Sequence, residues 1–377
     1  MKHPLEFGPS KEQFTTQEWF KRDLEKAFRP YWQLAGHIDQ IPDPGSYFLF
    51  TFGADEIIVA RTEDGDVSAY YNCCTHRGHK LVTERTGKLG RNIVCPYHNW
   101  AFSRDQGSCL AANRMPKSFD KSTVDLKSVW VEVFNKLVYV CLSKEAPVSV
   151  EQGTRQVMDD RGGLYGYDLK RMKLAAYNEL EVRANWKIVK ENDDECYHCV
   201  ANHPELIEGF DPWSGPYVVE NIDNPQKMWT VEEWALIELG VQQAGERICN
   251  VLSPRVDGEG SDEISDAHFF WMPSGRMILV RDYVWIWTIV PVAPDRTLTR
   301  RWWLVHEDAE EGKDYETSAL MDLFEVTMTQ DERLCEEVQR GVSMEGYQPG
   351  PLNPYYQEPA ASYYRFYRSL MEAEVGT

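Results

Sequence analysis

The 377-residue chain carries 60 Asp and Glu against 40 Lys and Arg, a formal charge of -20, with 42% hydrophobic and 27% charged residues. Those numbers describe a folded globular protein of one large or two smaller domains. They argue against disorder, fibrous architecture and a nucleic-acid partner, whose backbone demands clustered cations. The 13 Trp, 19 Tyr and 15 Phe either fill a core or build a cage around a cationic ligand, and composition does not separate the two.

Met1 to Ser10 carries Lys2, His3 and Glu6 and lacks the apolar stretch of a secretory signal. The longest uncharged, mostly apolar run, Tyr283 to Pro294, is too short for a membrane span. A cytoplasmic protein that does not enter the membrane is expected. Nine scattered Cys then suit metal binding better than a disulfide framework. Trp19, Leu24 and Phe28 fall at helical spacing within Thr16 to Phe28, so residues 1–30 read as an N-terminal helical segment packing on the later domain.

From Tyr31 the texture becomes β-rich. Tyr47 to Phe52, Ile57 to Arg61 and Val67 to Tyr71 are short strand patterns, with Asp64-Gly65 a hairpin signal, and Asp105-Gln106-Gly107 a second turn before Val129 to Leu142 resumes the pattern. Residues 31–155 are thus expected to form a small antiparallel β domain and 156–377 an α+β domain. The latter has helical patterns near 186–200 and 315–340 around strands at Phe269–Met272, Met277–Val280, Tyr283–Val290 and Thr299–Val305.

The strongest local signal is Cys74-Thr75-His76-Arg77-Gly78 with Cys95-Pro96-Tyr97-His98. Two Cys and two His on two turns of a β domain suit a metal centre. The unequal spacing, Cys-x-His with Cys-x-x-His, departs from zinc ribbons and matches a Rieske [2Fe–2S] site. There two thiolates hold one iron and two neutral imidazoles the other, which raises the reduction potential. Cys73, His79 and Cys109 read as bystanders.

A second constellation lies in Asn185 to Pro204, read as a helix ended by the proline. Glu195 and His198, three apart, share a helical face. His198 and His203, five apart, reach one metal only if the helix widens or ends between them. Two His and a carboxylate make the facial triad of non-haem Fe(II) oxygenases. The late helix offers the acid: Asp331 falls on a stripe with Phe324, Met328, Cys335 and Val338 and needs a partner there, whereas Asp322 aligns with a solvated face. Cys196 and Cys199 read as core fillers.

With these motifs, and with Asn99-Trp100, Gln330-Asp331 and Val338-Gln339-Arg340-Gly341, the chain resembles the oxygenase (α) subunit of Rieske non-haem iron oxygenases. Within that family it is most similar to the choline, glycine betaine and carnitine monooxygenases and the stachydrine-type N-demethylases. The resemblance implies a helix-grip (START/Bet v 1-like) catalytic domain with an antiparallel sheet and a homotrimer. It also implies Fe(II) at His198, His203 and Asp331, with Glu195 as the electron-transfer bridge between subunits. A separate flavin and [2Fe–2S] reductase would supply electrons from NAD(P)H, O₂ would be co-substrate, and hydroxylation or N-demethylation of a quaternary or tertiary methylammonium compound would follow. An aromatic-ring dioxygenase is the alternative reading, and a non-catalytic zinc-binding or electron-carrier protein the remaining one. Tyr283, Trp285 and Trp287 alternate onto one strand face and, with Trp271, are the pocket candidates for a cation; Trp229, Trp234 and Trp303 lie elsewhere in the same domain.

Overall fold

The computed structural model describes residues 5–155, 164, 166–207, 219–220, 229–232, 247–258, 267–271 and 273–372, with the backbone alone at 219–220, 229–232 and 267–271. It divides into two compact units, Arg29–Val150 and Met1–Phe28 with Glu151–Thr377. No helix among the described residues is long and apolar enough to cross a membrane.

In the unit Arg29–Val150 the strands Ser46–Phe52, Asp55–Arg61 and Val67–Tyr71 pair antiparallel, with Thr86–Lys88 on the outer edge of the first. Gly65, at φ +88°, takes the hairpin turn, a conformation that only glycine adopts freely. Asn92–Val94, Ala101–Ser103 and Cys109–Ala111 form a second sheet. The β pattern of Val129 to Leu142 is a hairpin, Trp130–Phe134 and Leu137–Cys141, turned at Asn135-Lys136, both with positive φ. Successive left-handed residues make the tight turn whose twist matches the strands, and Asn is among the residues that tolerate it.

The Cys74 and Cys95 loops share one geometry. The Cys74 carbonyl accepts from the Gly78 N–H at 2.8 Å and its N–H donates to the His79 carbonyl at 2.8 Å; Cys95 does the same with Asn99 at 3.0 Å and Trp100 at 2.8 Å. Each loop therefore closes at the fourth residue after the cysteine, in the left-handed region: Gly78 at φ +73° and Asn99 at φ +56°. The first loop is further pinned by Asn72, whose amide oxygen accepts from Leu81 and Val82. Cys74, Cys95 and Trp100 belong to one buried cluster with Ile58, Ile93 and Phe102, so the loops are rooted in the core.

The other unit is built on a seven-stranded antiparallel sheet in the order Met172–Val182, Arg296–His306, Val284–Ala293, Gly275–Leu279, Ala267–Trp271, Trp229–Glu232, Val219–Glu220. The helix Thr317–Val342 packs on it, with Phe324 stacked on Trp285 at 4.2 Å and Glu325 accepting from Asn178 at 2.7 Å. This is the α+β, helix-on-antiparallel-sheet architecture expected. Sequence periodicity missed Met172–Val182, an edge strand with much of its length part-exposed or exposed, and the helix Glu358–Glu372.

Two expectations on helices need correction. Asn185 to Pro204 is not one helix: Trp186–Asp193 ends at Asp194, Glu195 to His198 form a turn, Cys199–Asn202 is a single helical turn, and Pro204 opens Pro204–Ile207. Proline suits the first position of a helix because its missing N–H is not needed there. On Thr317–Val342 the buried stripe continues from Cys335 to Gln339 and Val342, while Val338 is 47% exposed. The Gln339 side chain accepts from the Asn185 N–H at 2.8 Å, which explains the buried polar residue.

Within this unit Asp23 ties three segments together. Its buried carboxylate accepts from Trp186 Nε1 at 2.8 Å, from Tyr367 at 2.6 Å and from Lys187. Burial pushes the Lys187 pKa down while Asp23 opposes that shift. Asp23→Ala would strand this ammonium and is expected to cost about 3–5 kcal/mol, read as a lowered midpoint in thermal unfolding. At Asn99, valine is expected to cost about 1–2 kcal/mol and glycine far less, because a branched side chain resists positive φ; urea midpoints of the two variants test this.

Candidate metal centres and substrate cavity

The paired loops bring the four predicted cluster ligands together. Cys74 and Cys95 are buried, at 2% and 1% exposure, and the His76 and His98 rings lie 4.6 Å apart between centroids. His76 stacks on Trp100 at 4.5 Å and its buried Nδ1 has no hydrogen-bond partner among the described residues. Burial, with the Cys95 thiol alongside, pushes the Cys74 thiol up to about 11. Desolvation and then the neighbouring His76, Arg77 and His79 hold His98 below its ordinary value, which keeps the imidazole neutral. Buried thiols, a neutral imidazole and an orphaned ring nitrogen fit a Rieske cluster, which supplies the charge that deprotonates the cysteines. Cys73 and His79 are exposed and Cys109 is buried in the β core.

In the other unit the end of the helix at Asp193 does what a regular helix cannot. His198 precedes the short turn Cys199–Asn202 and His203 follows it in extended geometry, φ -122° and ψ 69°. Their Nε2 atoms lie 3.1 and 3.0 Å from the same oxygen, Oδ1 of Asp331, which the helix Thr317–Val342 delivers. Donors in adjacent positions of an octahedral ion, each about 2.1 Å from it, stand about 3 Å apart. His203 is 1% exposed and its Nε2 faces that oxygen, an arrangement that suits a metal held by all three donors.

The other ring nitrogens are held from behind. His198 Nδ1 lies 3.1 Å from Glu195 Oε1, and His203 Nδ1 lies 2.8 Å from Gln330 Oε1, whose amide in turn donates to Glu205 at 2.8 Å. Such outer partners fix the tautomer and orientation of metal-binding histidines. Glu195 also accepts from the Tyr197 and His198 N–H groups. Burial works against charge on His198, but hydrogen bonds to Asp331 and Glu195 outweigh it and raise the pKa to about 9. Burial likewise works to raise Asp331, yet His198 and His203 bring its pKa down.

Cys196 and Cys199 are buried as expected but are not independent core fillers. Their Cα atoms are 4.9 Å apart and the sulfurs form a disulfide. The turn at Glu195 to His198 brings the C-x-x-C pair together, a closeness that a stripe on a continuous helix did not foresee. Cys199 Sγ approaches within 4.0 Å of His198 Nε2, but as a disulfide sulfur it leaves the third donor position to Asp331.

Beside the triad opens a cavity that is partly continuous with solvent. Its walls combine Asp193 and Glu195 with Arg276 and the apolar Ile278, Trp285 and Phe324. Glu195 and His198 also line a second cavity, with Leu334, Val338 and Tyr347. Of the four aromatic candidates, Trp285 lines the first cavity. Tyr283 and Trp287 are buried, at 0% and 2% exposure, and are not among its lining residues; Trp287 stands opposite Arg276 in the strand register. The side chain of Trp271 lies outside the described residues, as does Trp234. Sequence reasoning missed Asp193, Arg276, Phe324 and Thr327 as wall residues, although Phe324 and Thr327 lie on the Asp331 face of the helix.

Residues 31–134 match the family model for the Rieske [2Fe-2S] domain, and 169–373 match that for the ring hydroxylating alpha subunit, catalytic domain. The glycine betaine monooxygenase oxygenase subunit of Chromohalobacter salexigens is 30% identical over 93% of this chain and 83% of its own length. The carnitine monooxygenase oxygenase subunit of Acinetobacter baumannii is 28% identical over 89% and 85%. The solved structure of the quaternary ammonium Rieske monooxygenase CntA with L-carnitine superposes at a TM-score of 0.75 over 98% of this chain and 96% of that one; at 23% identity the likeness concerns the fold. With a Rieske unit, a catalytic unit of the α-subunit type and a chain-long relative, the protein belongs to the Rieske non-haem iron oxygenases and is the oxygenase subunit of a monooxygenase.

Proposed function

We propose that the protein monooxygenates an N-methyl carbon of a quaternary or tertiary methylammonium compound. The carrying observation is the cavity itself, where the His198, His203 and Asp331 donors share walls with two aromatic rings and the carboxylate of Asp193. Ring faces and a buried carboxylate are complementary to an ammonium that has no N–H to donate. The names of the relatives, glycine betaine and carnitine monooxygenase, support the same class.

In this reading Cys74, His76, Cys95 and His98 hold the [2Fe–2S] cluster, and His198, His203 and Asp331 hold the iron. When bound, these groups supply one-electron transfer and O₂ activation. The substrate C–H becomes C–OH and the second oxygen atom leaves as water, at the cost of two electrons and two protons from a separate flavin and [2Fe–2S] reductase. A hydroxylated N-methyl group is a carbinolamine, which loses formaldehyde and leaves the amine one methyl shorter. The protein's own residues position and shield. Trp285, Phe324 and Ile278 exclude water from the reacting methyl group, while Glu195 and Gln330 keep the two imidazoles aimed. Glu195, on both cavities and bonded to His198, is the carboxylate bridge to the cluster of a neighbouring subunit in a homotrimer.

An aromatic-ring dioxygenase would share the two metal sites, and the reaction products separate the two readings. Holoenzyme with a compatible reductase is expected to consume O₂ and release formaldehyde from methylated amines; a cis-diol from aromatic substrates, with no formaldehyde, would reject the proposal. Glu195→Ala should keep both metals and lower coupled turnover by about 100-fold, and undiminished turnover would exclude it as the bridge. Asp331→Ala is expected to lose the mononuclear iron on dialysis while the visible absorption of the cluster persists, as metal analysis of the two variants would show.

A further inference from the structure

His198 sits between two cysteines in the chain, and those cysteines are joined. The Cys196–Cys199 disulfide, with Cα atoms 4.9 Å apart, spans the turn that carries this metal donor, and both cysteines line the same cavity as His198, His203 and Asp331. A bridge over so few residues constrains the unfolded chain least, so global stability is a weak account of it. The position of one sulfur suggests another. Cys199 Sγ lies 4.0 Å from His198 Nε2, and donor atoms of His198, Cys199 and His203 all fall within 4.8 Å of one another.

A bridged sulfur and a thiol differ in what they offer a metal. Thiolate is a preferred ligand of zinc, whereas a disulfide sulfur carries no charge and is a poor donor. Around a tetrahedral zinc, with Zn–N about 2.0–2.1 Å and Zn–S about 2.3 Å, sulfur and nitrogen donors stand about 3.6 Å apart. The observed 4.0 Å is a small side-chain movement away from that. The Cys199 backbone needs no rearrangement, because its N–H donates to the Cys196 carbonyl at 3.1 Å and its carbonyl accepts from the His203 N–H at 2.8 Å. Neither bond involves sulfur. With Asp331 Oδ1 3.1 and 3.0 Å from the two imidazole nitrogens, a freed Cys199 makes a fourth donor, and a zinc with four protein ligands is closed to further ones.

We propose that His198, Cys199 and His203, with Asp331, form an alternative metal site selective for zinc, which the Cys196–Cys199 disulfide keeps from assembling. Oxidised, the pair leaves two imidazoles and a carboxylate, a donor set that suits Fe(II) and keeps positions open. Reduced, it yields a thiol that takes zinc and closes the centre. Opening the bridge takes two electrons and two protons from a dithiol, which itself becomes a disulfide; zinc then displaces the Cys199 thiol proton to solvent. The inference rests on His198 and His203 as metal ligands and is independent of the substrate.

The test starts from holoenzyme dialysed free of mononuclear iron with its cluster intact. One half is treated with dithiothreitol and desalted under argon, and each half then receives one equivalent of zinc. X-ray absorption at the zinc edge should show one sulfur at about 2.3 Å in the reduced half and only nitrogen and oxygen in the other. Zinc bound without sulfur in both halves, or with sulfur in both, would overturn the proposal and leave the histidine ligands standing; zinc taken up by neither would remove those ligands too. Cys196→Ser should give the zinc–sulfur distance with no reductant, and a sulfur that persists in reduced Cys199→Ser would count against the assignment. Should either variant fail to fold, the two wild-type halves decide. Wild type unfolded in an alkylating agent should carry no label on Cys196 or Cys199 unless first reduced, as mass spectrometry would show, and labelling of both without reduction would refute the bridge on which the switch depends.

Discussion

A carboxylate on the buried face of a helix must find positive partners, and in this protein the catalytic unit is arranged around that demand at Asp331. Burial works to raise its pKa, and His198 and His203 reverse the effect. The two imidazoles meet one oxygen only because the chain stops being helical between Asp194 and Glu195 and again at His203. A continuous helix would have turned the residues about 140° apart. The break costs backbone hydrogen bonds, and Glu195 restores part of that loss by accepting from two N–H groups of the turn while it orients His198. One carboxylate thus caps the turn and aims a ligand, so the metal site and the local fold are not separable problems.

The same helix that brings Asp331 also shapes the cavity. Phe324, Thr327, Met328 and Asp331 face one way at helical spacing and all line it. Phe324 is fixed by stacking on Trp285, and Glu325, one residue on, is tied to Asn178 of the outer strand. Rotation of this helix would therefore move a metal donor and a cavity wall together. Gln330, next to Asp331, holds His203 from the far side, which places both a donor and an orienting group for the same histidine on adjacent residues.

How much of this was legible in the sequence follows from how local each constraint is. The Rieske loops were legible because each is a short segment whose geometry its own residues dictate. A left-handed closing residue was signalled openly by Gly78 and more quietly by Asn99. Asp331 was legible through its apolar neighbours on a single helix, although it lies far from the histidines in the chain. The helix break was posed as a requirement by the five-residue spacing, but its place depends on the capping of Asp194 and on Glu195, which periodicity cannot weigh. Asp193 and Arg276 were not legible at all, since nothing in Arg276's own strand pattern shows that it meets the end of a helix about eighty residues earlier.

The aromatic richness now has a definite partition. Trp186, Trp285, Trp287, Trp302 and Trp303 are all buried to within a few per cent, so tryptophan serves mainly as core, and among these only Trp285 lines the cavity. A cage built from many rings would bind a cation by ring faces alone and would be indifferent to the rest of the molecule. A cavity with few rings must obtain selectivity from charge, which is stronger where water is scarce.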